Sequence, residues 1–60
     1  MRVTVIKNKW NDTDTIKLLG QVGRVTLYNK EIPFVDVLFN HIEEPVTMHI
    51  EELEVKQKTN

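Results

Sequence analysis

Alternation of apolar and polar residues with a period of two dominates this chain, and it recurs in four stretches separated by polar connections. Met1, Val3 and Val5 alternate with Arg2 and Thr4. Gly23, Val25 and Leu27 alternate with Arg24, Thr26 and Tyr28, and Val35, Val37 and Phe39 alternate with Phe34, Asp36, Leu38 and Asn40. Val46, Met48 and Ile50 repeat the pattern with Thr47 and His49 between them. Successive side chains of a strand point to opposite faces, so each stretch predicts a strand with one buried face. Asp36 sets the parity of its strand, because an unpaired carboxylate is costly to bury. The chain has no Ala and no Ser while Val, Thr and Ile abound, which favours pleated sheet over helix.

The connections complete the outline. KNKWNDTDT, residues 7–15, is polar and turn-rich and predicts a long first loop. TIKLL can form a turn of helix behind an Asp14 cap or an extended arm; the extended arm is expected, and Ile16, Leu18 and Leu19 need cover in either form. Val22 is out of phase with the strand that follows it, which predicts a bend made possible by Gly20 and Gly23. Glu51 and Glu52 interrupt the last pattern before Leu53 and Val55, predicting a single 3₁₀ turn and then a short final strand. The expected architecture is an all-β, five-stranded, partly open barrel over residues 1–56, with a frayed tail over 57–60.

The spacing of Gly20, Gly23, Val25, Val35–Val37–Phe39 and Leu53–Glu54–Val55 resembles the SH3-like barrel group, which includes KOW and Tudor modules. RVTVIKNKWND, GQVGRVTL, VDVLF and HIEELEV also run in the same order as similar segments of the E-type peripheral subunit of photosystem I. That resemblance implies a ferredoxin-docking role in which basic residues such as Arg2, Lys7 and Arg24 meet an acidic protein, with no cofactor held by this chain. Its motifs are short and speak to fold more than to activity.

Sixty residues make one domain, at a size where folding buries only ~60% of the unfolded surface. A large enclosed active site is not expected. With no Cys, disulfides, thiolate metal sites and cysteine nucleophiles are absent, and an intracellular, cytoplasmic setting is expected. The lack of Ser removes a further nucleophile. MRVTVIKNKW has no continuous apolar segment, and no run approaches the ~20 residues that span a bilayer, so a soluble protein without membrane contact is expected.

Several residue patterns suggest chemistry only superficially. His41 and His49 lie near Glu43, Glu44, Glu51 and Glu52, but their spacing matches no established metal-ligand pattern. Asp12-x-Asp14 opens like a calcium loop yet lacks the later glycine and bidentate glutamate. Gly20-x-x-Gly23 resembles a phosphate loop, but a strand rather than a helix follows it, so the glycines are read as structural. No cofactor and no enzymatic activity are expected.

Partner binding remains. Residues 1–30 carry six cations and two carboxylates, whereas residues 31–60 carry two cations and seven carboxylates. Such asymmetry orients a charged partner. Trp10 stands in a polar loop, and Tyr28, Phe34 and Leu38 fall on the face opposite the predicted core. These four are the candidate contacts of a protein-binding module, with Glu43, Glu44, Glu51 and Glu52 as electrostatic guides. Such a module would serve as an accessory subunit or an inhibitor of a host protein, and a short Lys-, Asn- and Thr-rich chain suits a phage or mobile element. A second copy covering the open barrel side would make a homodimer. The alternative is a nucleic-acid-binding KOW-like module using Lys7, Lys9, Lys17, Arg24 and Lys30, which an isoelectric point near 6.0 disfavours.

Overall fold

A computed structural model describes residues 1–56; the expected frayed tail at 57–60 lies outside them. The elements run β1 (Arg2–Val5), α1 (Thr13–Ile16), β2 (Val22–Tyr28), β3 (Phe34–Leu38), β4 (Val46–His49), a 3₁₀ turn over Ile50–Glu52 and β5 (Leu53–Val55). All five strands form one antiparallel sheet in the order β4-β3-β2-β1-β5. The expected all-β architecture and the 3₁₀ turn before the last strand are present. Because β4 and β5 are edges that do not pair with each other, the sheet is not closed into a barrel. This arrangement is compatible with an SH3-like fold. Among the described residues no helix is long and apolar enough to cross a membrane.

Core residues come mostly from the predicted faces. Val3, Val5, Val35, Val37, Phe39 and Met48 are buried, joined by Leu18, with Val25, Ile42, Val46 and Leu53 packed against them. Asp36 faces outward as its charge requires, and accepts the Thr47 hydroxyl at 2.7 Å. Met1 and Ile50 do not join the core: both are exposed, Met1 ahead of the first pairing and Ile50 where the chain leaves β4 for the 3₁₀ turn.

Three local expectations are corrected. TIKLL does not extend: Thr13–Ile16 is a helical turn capped by Asp12, not Asp14. Asp12 sits in extended backbone and its Oδ1 accepts the Asp14 N–H at 2.8 Å, satisfying a donor that the first turn leaves free. Asn8 secures the same point by exchanging hydrogen bonds with the Asp12 backbone in both directions. The helical turn buries Leu18 but leaves Ile16 and Leu19 exposed.

The second correction concerns β2. Val22 simply faces outward opposite Thr4, and the phase change lies further on, where the register shifts between Val25 and Leu27. Val25 opposes Val37 on the core face, whereas Leu27 opposes Asp36 on the outer face and Tyr28 opposes Val35. An extra residue in one strand has this effect, so Leu27 is exposed rather than buried.

The glycines are structural, each for its own reason. Gly20 has φ +84° and closes the helical segment, its N–H donating to the Val5 carbonyl at 2.8 Å. Gly23 makes room: a Cβ there would lie 2.5 Å from Val37 Cγ1 and 2.8 Å from Phe39 Cε1.

The third correction is Glu52. Expected among the electrostatic guides for a partner, it is buried, with only 3% of its surface exposed.

Candidate functional site

The polar first loop folds back over the end of the β3–β4 pair and delivers Trp10 to the outer face of the sheet. Phe34 and His49 are directly opposite one another across β3 and β4. Trp10 stacks on Phe34 with ring centroids 6.0 Å apart and planes at 16°. The His49 ring stands edge-on to both, 5.3 Å from Trp10 and 5.2 Å from Phe34. Offset-stacked and edge-to-face arrangements at such separations are the favoured ones for aromatic rings, worth ~1 kcal/mol per pair beyond area burial. The cluster is therefore self-supporting, yet 54% of Trp10 remains exposed.

Glu52 holds the loop in place. Its Oε2 accepts the backbone N–H of Lys9 at 3.0 Å and its Oε1 accepts the backbone N–H of His49 at 3.2 Å. His49 Nδ1 in turn accepts the Glu51 N–H at 3.0 Å, so the 3₁₀ turn has a reciprocal cap at its start. Lys9 then spans the outside: its Nζ lies 2.8 Å from Glu51 Oε1 and 5.6 Å from the centre of the Trp10 ring. The hydrogen bond and charge of Lys9 hold the Glu51 carboxyl below its ordinary value, with smaller help from His49 and Lys7.

Further exposed apolar residues border the rings. Leu27, opposite Asp36, is a diagonal neighbour of Phe34 on the outer face. The Ile50 N–H donates to the Pro33 carbonyl at 2.9 Å, which sets exposed Ile50 beside the start of β3, and exposed Ile32 lies just before it.

Of the candidate contacts, Trp10 and Phe34 come together; Tyr28, expected on the same face, is exposed at that end of the β2–β3 pair but lies opposite buried Val35, so the register shift in β2 turns it to the other face of the sheet. Leu38 does not join them, because it opposes Arg24 at the other end of that pair. Glu43 and Glu44 are exposed in the connection between β3 and β4. Glu51 is bound to Lys9, and Glu52 is committed to two backbone donors and carries no guiding charge to the surface. The basic candidates are dispersed over the chain: Lys7 and Lys9 in the first loop, Lys17 at the end of α1, Arg24 within β2 and Lys30 in the β2–β3 turn.

His49 is the residue that sequence reasoning undervalued. A glutamate three residues after His49, at the end of an alternating run, is the local signal of a reciprocal cap. Among the described residues no group of three or more His, Asp or Glu side chains is placed to hold a metal. Comparisons with protein-family models, with curated proteins and with solved structures find no match to this chain.

Proposed function

We propose that this chain is a non-enzymatic binding module with an SH3-like fold, which docks another protein on the surface formed by Trp10, Phe34 and His49 with Leu27 and Ile50 at its border. The observation that carries this reading is the half-exposed Trp10, held in one orientation by a ring stack and by the Glu52 clamp behind it. Side chains that are already ordered lose little entropy on binding, and aromatic residues dominate the energetics of protein interfaces. The cation nearest to Trp10 is neutralised by Glu51, which favours an apolar protein contact over a phosphate backbone at this end. Such a module acts by occupying its partner, as an accessory subunit or a modulator.

Affinity capture from native lysate, with and without nuclease, tests the reading. The chain is expected to retain a protein that resists nuclease and is lost when Trp10→Ala and Phe34→Ala are combined. Equal retention by the double variant, or capture that disappears with nuclease, would overturn it.

A further inference from the structure

At the opposite end of the β2–β3 pair, Arg2 and Arg24 face each other directly across β1 and β2. The Val25 N–H donates to the Met1 carbonyl, one position outside this pair on each strand, which makes it the non-hydrogen-bonded type in which side chains stand closest. Like charges in that position repel. β3 offers no relief, since Leu38 is the residue opposite Arg24. On β5 the Lys56 N–H donates to the Arg2 carbonyl, extending the pairing of Val3 with Val55, so a third cation stands opposite Arg2 and the Glu54 carboxylate stands diagonal to it. Among the described residues the ion pair formed is that of Lys9 with Glu51, so neither arginine has a carboxylate within bonding distance.

The two arginines line an open groove of about 520 Å³, a volume suited to one small molecule. Leu38 and Ile42 give it apolar walls, and Asn40 and Glu43 add an amide and a single carboxylate. A sheet that sets guanidinium groups side by side, with neither of them in an ion pair, is arranged for an external dianion. Arginine forks match phosphate oxygens in pairs, and each hydrogen bond so formed is charge-assisted.

We propose that this groove binds a phosphate monoester of a small molecule, with Arg2 and Arg24 sharing the dianionic group and Leu38 and Ile42 packing against the apolar body of the ligand. The Asn40 amide and the Glu43 carboxylate address polar groups on that body. Lys56 adds long-range attraction. The site is separate from the ring cluster and does not depend on it.

Nitrogen-edited NMR titration of the whole chain tests the proposal, with inorganic phosphate and adenosine 5′-monophosphate as probes and chloride at equal ionic strength as control. Saturable shifts are expected at the amides of Arg2, residues 22–24 and residues 38–43, tighter for the nucleotide than for phosphate and absent with chloride. Arg2→Gln and Arg24→Gln should each weaken binding at least tenfold while leaving the fold as stable as before or more so, because a repulsion is removed. Arg24→Lys should retain part of the affinity. No saturable shift at millimolar probe, an equal response to chloride, or unchanged affinity in the double glutamine variant would overturn the assignment. Tighter binding of phosphate than of the nucleotide would overturn the role of the apolar walls.

Discussion

The backbone N–H of Lys9 donates to the Glu52 carboxylate at 3.0 Å, joining residues 43 positions apart in the chain. With its other oxygen on the His49 N–H, this one side chain fastens the first loop to the turn before β5 and so presents Trp10. Truncation leaves two part-buried amide donors without a partner, each costing ~1–3 kcal/mol. Glu52→Ala should therefore destabilise the fold by about 3 kcal/mol, a large share of the stability of so small a domain. Glu52→Gln keeps one acceptor oxygen and should lose about half as much. Urea denaturation followed by tryptophan fluorescence measures both, and an alanine variant as stable as wild type would remove the clamp.

Gly23 lies beneath two core side chains, one of them the fully buried Val37. An added methyl has no space there, and overpacking of this kind costs ~1–3 kcal/mol. Gly23→Ala should accordingly lower stability by about 2 kcal/mol. At Gly20 the surroundings are open and the penalty comes from the positive φ alone, so Gly20→Ala should cost about 1 kcal/mol. Denaturation midpoints that reversed this order would contradict the packing described for β2.

The strands were legible because alternation is a local signal and Asp36 fixed which face turns outward. The bulge between Val25 and Leu27 was not, since Thr26 suits a strand of either phase and nothing near it marks an extra residue. Asp12 and Asp14 both offer a capping carboxylate, and only the backbone of the folded loop, which has Asn11 in the left-handed region, decides for Asp12. Trp10 and Phe34 were identifiable one by one as apolar residues the core does not claim. Their meeting with His49, and the burial of Glu52, depend on a loop closure between distant parts of the chain that no local pattern records.

The Lys9–Glu51 pair sets a pH dependence. The folded chain holds the Glu51 carboxyl below its usual 4.5, chiefly through the hydrogen bond and then through the charge of Lys9. The unfolded chain thus binds a proton more readily in acid, so the stabilisation is fully present above 4.5 and disappears as pH falls through the lowered folded value. Glu51→Gln should narrow the stability gap to wild type progressively over that window, and added salt should narrow it at neutral pH. A gap that stays constant from neutral pH into acid would contradict this origin.

We propose Trp10 as the anchor of a protein-binding surface. The most direct test is the dissociation constant of the captured partner for the wild-type chain, for Trp10→Ala and for Arg24→Gln, each verified as folded. Trp10→Ala should weaken binding at least about tenfold, equivalent to ~1.4 kcal/mol, while Arg24→Gln at the far end of β2 stays within about twofold of wild type. Undiminished affinity in the tryptophan variant, with loss in the arginine variant, would contradict the account.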